Sequence, residues 1–458
     1  MKIPKIEIPG KPQYQKLGED LDFFQVFRKI ENQFEKCFLL ESLGEDSQIS
    51  RYSLIGFDPE ASLFARNKEL VYQNHRQNTE VSESCENPYY KMREIVPQNI
   101  ISRKYAGGLV GYIGYDAMNY FENSLDIKGS EYFSPFSFGV YKDGLVLDKM
   151  TGELFYFHYN ENRLDQIKDL INSELPPMPR AEVEFLGDVF SQEEHKAGVE
   201  SVKKKIIDGL IFQCEVGFQS HFKIKTNHLS LYSRLREVNP SPHMYYLKDA
   251  DQIILGASPE LLFRLRNGEM ETFPLAGTTK RGTTPEEDTQ LARSLLNDPK
   301  EIAEHNMLVD LHRNDLGRVA EFGTVKVRSL MDIKRFSHVQ HISSEIVGII
   351  AENEDMFSAL ASNFPAGTLT GAPKIEAMKI IDELEPIGRG PYGGALGQFC
   401  FNGDCTFAIP IRSLFCKGEH AYAQTCGGNV YDSTPEGEYE EIKRKLAAMK
   451  KVLEEFKK

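Results

Sequence analysis

Tryptophan is absent from all 458 positions of the chain. That is unusual, but by itself it excludes no class of protein. Other absences exclude more. The seven cysteines are scattered with no Cys-x-x-Cys, so neither a zinc site nor a disulfide framework is expected. No apolar run approaches the ~18 residues needed to cross a bilayer, and the opening MKIPKIEIPGKPQ lacks the apolar core of a signal peptide. A cytoplasmic, reduced setting with no membrane partner is the expectation. Positive charge is sparse as well: 54 Lys and Arg stand against 68 Asp and Glu, a net charge of −14. The one dense basic stretch, KRKLAAMKKVLEEFKK, is interrupted by Glu454 and Glu455. This balance argues against nucleic acid as a partner. An anionic substrate would have to be held by local cations, backbone N–H groups or a metal. What remains, 41% apolar and 27% charged, is an ordinary globular composition long enough for two or three domains.

Residues 21–33 (LDFFQVFRKIENQ) read as an amphipathic helix, and 37–43, 51–58, ASLFARN and ELVYQN as strands. A helix near 89–96 precedes GGLVGYIGYDA, a meander with turns at Asp143-Gly144 and Thr151-Gly152, and a helix at 163–173. The Pro-rich LPPMPRAEVEF (175–185) marks a boundary between an N-terminal region, 1–175, and a C-terminal region, 186–458, expected to be intertwined. Ser191 with Glu194 forms a capping box, and Thr284, Pro285 and Glu287 supply N-cap, N1 and N3 of another helix. Asn267-Gly268 is a hairpin tip. Further helices are expected at 355–363, 373–384 and from Pro435, with strands between 393 and 431. Strands joined mostly by hairpins, with helices grouped between them, predict an α+β fold. Its large antiparallel sheets would form a sandwich with helices packed outside, and regular βαβ alternation is missing.

The stretch KEIAEHNMLVDLHRNDLGRV (300–319) is helical in period, and it puts Glu301 and Glu304 on one face. Glu438 and Glu441 repeat that spacing at the start of the last helix. Four carboxylates on two helices suit a hard cation such as Mg²⁺, although a Glu pair on a helix is more often solvated surface charge. FPAGTLTGAPK (364–374), PYGGALG (391–397) and CGGN (426–429) put glycine where backbone can approach a ligand. Arg412, in the apolar FAIPIRSLF, needs a carboxylate partner, either internal or on a ligand. Glu260, at the end of an apolar strand, suits a general acid if buried. His341 alternates with apolar residues, as a core histidine would.

Together, ASPELLFRL, PLAGTTKRG, EIAEHNMLVDLHRNDLGRV, FPAGTLTGAPKIEAM, GPYGGALG, AIPIRS and DSTPEGEYEE resemble, in order and spacing, the chorismate-utilising enzymes. The resemblance implies Mg²⁺ on the ring carboxylate of chorismate, with Glu304 and Glu441 as direct ligands and Glu301 and Glu438 acting through water. It implies that Arg412, Tyr392 and the N–H groups near Gly427 and Gly428 hold the pyruvyl carboxylate, with Lys374 as added positive charge. Ala276, Gly277 and Thr278 would line the substrate. Glu260 would be the acid for the C4 hydroxyl, with Thr368 and His341 in the catalytic set. Gln213 stands where water-adding relatives carry a lysine base, and Ala276 where C4-aminating relatives carry a nucleophilic lysine. The expected activity is therefore ammonia addition at C2 and loss of pyruvate, giving anthranilate for tryptophan biosynthesis. No Gly-x-Cys-x-Gly elbow of a glutamine amidotransferase occurs, so ammonia is expected from a separate glutaminase subunit in a heterodimer or heterotetramer.

NPSPHMYYL (239–247) and LLES (39–42) resemble a tryptophan-inhibition site. It would comprise Leu39, Glu41, Ser42, Asn239, Pro240, Ser241, Met244 and Tyr245. The chain departs from the family pattern at Cys214-Glu215-Val216-Gly217, where an apolar run is usual, at His312, and at CGGN. Two rival readings remain: a C4-aminating enzyme of the 4-aminobenzoate route, favoured by the spelling LTGAPK, and a non-catalytic chorismate- or amino-acid-binding regulator.

Overall fold

Apolar residues two apart along nearly every strand build two antiparallel sheets packed face to face, twelve strands in each among the described residues. The computed structural model describes residues 2–19, 21–44, 51–102, 104–159, 161–335 and 339–457. The first sheet runs in the order Gln13–Glu19, Glu153–His158, Asp143–Asp148, Tyr52–Phe57, Lys36–Glu41, His243–Asp249, Gln252–Ser258, Ser413–Lys417, His420–Asn429, Gln213–Lys225 and Glu182–Asp188. Gly371–Ala372 also pairs with Gln213–Lys225. The second runs Leu275–Lys280, Val339–Ile349, Glu269–Thr272, Leu261–Arg266, Cys405–Ala408, Ala395–Cys400, Gly108–Ile113, Phe136–Tyr141, Ala61–Arg66, Glu69–Asn74 and Thr79–Ser84. Lys326–Arg335 is added on Val339–Ile349. Each sheet takes strands from both sides of the Pro-rich stretch: Lys36–Glu41 pairs with His243–Asp249, and Gly108–Ile113 with Ala395–Cys400.

The first sheet is apolar on both faces, which explains why its strands read as near-continuous hydrophobic runs. Phe38, Tyr245, Ile254 and Phe415 point into the layer between the sheets. Their neighbours Cys37, Leu39, Met244, Leu255 and Leu414 pack outward. That outer face is covered by the helices Phe23–Gln33, His228–Val238 and Pro435–Glu455, through Phe27, Leu231, Ile442 and Leu446. The helix Met356–Asn363 packs into the core of the other sheet, as does the central helix, Pro299–Gly317. Among the described residues no helix is long and apolar enough to cross a membrane.

The α+β sandwich with external helices is the expected fold, and the capping box at Ser191 and the Thr284–Pro285 start form as their residues dictate. Two local expectations are corrected. Asp143-Gly144 is not a hairpin turn: Lys142 alone separates Phe136–Tyr141 of one sheet from Asp143–Asp148 of the other. Arg412 is not in a strand. Pro410 has no N–H to give a ladder, so the strand stops at Ala408 and the chain crosses between sheets through Ile409–Arg412. Arg412 itself takes φ +55° at that crossing. The strands Gln13–Glu19 and Thr79–Ser84, both largely polar edges, and the helix His228–Val238 lie where no element is expected.

Candidate active site

The two Glu pairs share a local design. Asp298 caps the central helix, accepting from the N–H of Lys300 at 2.9 Å, with Pro299 in the first turn. Thr434 caps the last helix, accepting from the N–H of Gly437 at 3.2 Å, with Pro435 behind it. Glu301 and Glu438 therefore lie in the first turns, where the helix dipole favours negative charge, and Glu304 and Glu441 follow in the second turns. Burial raises the pKa of Glu301, Glu304 and Glu438. Repulsion adds to it, from Glu304 on Glu301 and from Glu441 on Glu304 and Glu438. Burial also pushes Glu441 up, but Lys445, 2.8 Å away and one turn on, together with Arg444 and Arg412, outweighs it and leaves the pKa lowered.

Gly427 and Gly428 lie in the ladder opposite Val216 and Glu215 rather than in a loop. They are glycine because carboxylates press against them. A Cβ on Gly427 would stand 2.9 Å from Glu438 Oε2, and one on Gly428 would stand 2.5 Å from Glu215 Oε1 and 2.8 Å from Gln213 Nε2. Gly277, at φ +69°, likewise leaves room for Glu301 Oε2, which a Cβ would meet at 2.9 Å. Ala276 and Thr278 flank it opposite Ile342 and His341. His341 Nδ1 lies 3.0 Å from Gly277 O and 3.0 Å from Thr278 Oγ1, and burial lowers its pKa.

Glu260 is 6% exposed and accepts from Thr368 Oγ1 at 2.9 Å. Burial pushes its carboxyl up to about 7 against the opposing hydrogen bond, so it can hold a proton near neutrality. Arg412 feels Glu260 and Glu441, yet its guanidinium makes neither a hydrogen bond nor an ion pair within reach among the described residues. Tyr392 gives its hydroxyl to Cys426 Sγ at 3.2 Å.

Lys374 is placed differently from expectation. Its ammonium is bound to Asp315 at 2.8 Å and faces a groove lined by Met118, Phe121 and Arg318. The helix behind it starts at Lys374 with Pro373 in the cap position. Lys445 is a cation of the site beside Arg412, and it gives a hydrogen bond to Cys426 O at 3.0 Å. Sequence reasoning passed over Lys445 and named Glu215 only as a departure from the family pattern; it is a 5% exposed carboxyl on the same strand face as Gln213. The signals were present: Lys445 lies one helical turn beyond Glu441, and Glu215 lies one strand repeat beyond Gln213.

A divalent cation fits this donor set. Glu438 Oε2 is buried with no hydrogen-bond partner among the described residues, and three of the four carboxylates are destabilised by burial and by one another. An oxygen-preferring cation would remove that excess. Among the described residues no three His, Cys, Asp or Glu are yet drawn together as a ligand cluster.

The segments LLES and 239–245 lie side by side. Met244 pairs with Glu41 and Tyr245 with Leu40, and the N–H of Leu43 reaches Ser241 O at 3.0 Å. Glu41 is closed by Tyr232 at 2.8 Å and Arg236 at 2.6 Å, whereas the buried Ser42 hydroxyl has no partner among the described residues. Leu39 packs outward, Ser241 Oγ gives to Asn239 O at 3.2 Å, and Pro240 lies between them.

Residues 35–451 match the model of a family described as chorismate binding enzyme, and the chain belongs to that family. Within it the relatives are specific. The chain is 52% identical to anthranilate synthase component 1 of Leptospira biflexa, covering 99% of this chain and 98% of that one. It is 43% identical to the protein of that name from Methanothermobacter thermautotrophicus, covering 94% and 92%. Among solved structures, anthranilate synthase component I from Streptococcus pneumoniae TIGR4 superposes with a TM-score of 0.77 at 30% identity, over 89% of this chain and 94% of that one. The menaquinone-specific isochorismate synthase of Escherichia coli shares the fold, with a TM-score of 0.73 at 18% identity over 98% and 96%.

Proposed function

We propose that this chain is the chorismate-converting subunit of an anthranilate synthase, forming anthranilate and pyruvate from chorismate and ammonia. The observation that carries the reading is the pair formed by Glu260, a carboxyl kept protonatable by burial, and Arg412, a guanidinium with no partner among the described residues. That pair offers a proton donor and a carboxylate receptor in one site.

Arg412 binds the pyruvyl carboxylate, and Glu260, oriented by Thr368, protonates the C4 hydroxyl as it leaves. Gln213 meets the nucleophile. A carboxamide cannot deprotonate water, and ammonia needs no such activation. Ala276 offers no amine to attack C2, which closes the C4-amination route. His341, held by Gly277 O, stands by the ring for the second stage, loss of pyruvate and aromatisation. Glu304 and Glu441 would hold Mg²⁺ directly, with Glu301 and Glu438 acting through water. Bound there, the ion would neutralise the ring carboxylate of chorismate. Lys445 takes the role expected of Lys374 as the cation near the pocket. A separate glutaminase subunit supplies ammonia, and tryptophan inhibits through the Glu41–Ser42 and Asn239–Tyr245 segments.

The test is product identity. Chorismate, Mg²⁺ and ammonium with the purified chain should yield anthranilate by mass and fluorescence, and glutamine should not replace ammonium. Finding 4-amino-4-deoxychorismate or isochorismate as the main product would overturn the reading.

A further inference from the structure

Two departures from the family pattern, at Glu215 and at Cys426, meet in one contact. The thiol of Cys426 gives to Glu215 Oε2 at 3.3 Å. The other oxygen, Oε1, accepts from Gln213 Nε2 at 3.3 Å, and the buried Gln213 Oε1 has no hydrogen-bond partner among the described residues. A carboxyl that only served the fold would be fully supplied with donors at this depth. Here a weak thiol donor and one long amide bond face a carboxylate beside an orphaned carbonyl oxygen. Acceptors outnumber donors, and the complement of such a corner is a small ligand rich in N–H.

The corner is also on the correct side of the ring. Glu441 and Glu304 act on Glu215, Arg412 and Thr368 act on Glu260, and Lys445 acts on both carboxyls, with Glu215 acting on Glu260 as well. In chorismate the ring carboxylate is on C1, next to C2, and the enolpyruvyl ether on C3 is next to the C4 hydroxyl. A ring carboxylate at Glu304 and Glu441 and a pyruvyl carboxylate at Arg412 therefore turn C2 toward Glu215 and C4 toward Glu260. Two carboxyls in distinct environments then divide acid and base work between them.

We propose that Gln213 and Glu215 form the ammonia site: Gln213 Oε1 and the Glu215 carboxylate accept the N–H bonds, and Glu215 takes the proton shed when nitrogen bonds to C2. The N–C2 bond forms, the ring double bonds shift, and the C4–O bond breaks. The hydroxyl departs as water with the proton of Glu260, so Glu260 ends ionised and Glu215 ends protonated. Gly428 makes the site possible, because any side chain there would displace both groups. The inference rests on the amination reading above.

Steady-state kinetics with ammonium as the sole nitrogen source test it, on the wild type, Glu215→Gln and Glu215→Val. The valine variant supplies an apolar side chain suited to a buried strand, and far-UV circular dichroism checks the fold of both. Loss of a charged acceptor for a buried N–H should raise the KM for ammonium about 10- to 100-fold in both variants. The KM for chorismate should stay within about twofold. Unchanged ammonium kinetics in both would overturn the site, as would a chorismate KM that rises in step with that for ammonium. If the wild type itself makes no anthranilate, the amination reading falls first. If only the variants fail to differ, the inference falls alone.

Discussion

Glu385 and Glu215 are buried carboxyls on neighbouring parts of one structure, and they differ in their company. Glu385 accepts from the Gly217 N–H at 2.9 Å, from Arg389 Nε at 2.8 Å and Nη2 at 2.7 Å, and from Gln424 Nε2 at 3.2 Å. Arg389 is itself finished by bonds to Leu369 O and Glu215 O. This network is complete, and its work is to tie the strand Gln213–Lys225 to the end of the helix Lys374–Leu384. Glu215, Glu260 and the four helix-start glutamates are incomplete: burial raises most of them, and among the described residues Glu438 Oε2 has no donor and Arg412 no paired anion. A saturated buried charge belongs to the fold, and an unsaturated one marks where a ligand will sit.

The widest separation between the two kinds should appear on removing a helix-start carboxylate. Glu304→Ala or Glu441→Ala should abolish Mg²⁺-dependent turnover while the fold survives, because both are only half-buried, in the second turns of their helices. Glu301→Ala or Glu438→Ala should cost ~10–100-fold, as water-mediated partners do. Assays at limiting Mg²⁺ check both. Arg389→Ala should do the reverse, costing ~3–5 kcal/mol of stability in urea unfolding by leaving Glu385 buried and unpaired. Glu438→Gln, which removes an unsupported charge, should leave stability unchanged or raise it.

A smaller contrast lies in pH. Burial lifts Glu215 and Glu260 from 4.5 to about 7, so between those values the folded chain keeps protons that the unfolded chain loses. Their contribution to stability is full below pH ~4.5 and is lost as pH rises through ~7, roughly 3 kcal/mol for each group. Unfolding free energies across that window should fall with pH in the wild type and flatten in a Glu215→Gln, Glu260→Gln chain. Turnover should pass through a maximum near pH 7, because Glu215 must be ionised to take a proton while Glu260 must keep the proton it donates.

The smallest effect expected is at the Glu41–Ser42 segment, where a closed carboxylate lies beside an open hydroxyl. Ser42→Phe or Met244→Thr should relieve inhibition by tryptophan, a coupling of ~1–3 kcal/mol, with the uninhibited rate little changed. Since the chain has no tryptophan of its own, indole fluorescence reports the bound inhibitor directly. Tyr245 links this segment to the pocket: its hydroxyl lies 2.5 Å from Ser413 Oγ, next to Arg412. Tyr245→Phe should weaken the coupling more than the binding.

Much of this was legible in the chain. Cap residues, apolar periods and the three-residue spacing of the glutamates are local, so the helices and the faces that carry the site follow from short stretches. What was not legible depends on register and crossings. Glu215 reaches the site because Gln213–Lys225 pairs with His420–Asn429 so that residue 215 faces Gly428. Arg412 reaches it because Pro410 sends the chain from one sheet to the other. Lys374 was misplaced because nothing near it in sequence reveals that Asp315 stands opposite. The polar edge strands Gln13–Glu19 and Thr79–Ser84 were missed because neither shows the alternation of a strand with one buried face.

The most direct measurement is calorimetric titration of Mg²⁺ into the chain saturated with chorismate and free of ammonium, so that substrate is bound and not aminated. The account predicts a single Mg²⁺ per wild-type chain, heat lost in Glu304→Ala and Glu441→Ala, and weaker but measurable binding in Glu438→Gln. Binding in Glu304→Ala and Glu441→Ala that matches the wild type would contradict it, for the unsatisfied carboxylates would then not be the seat of the ion.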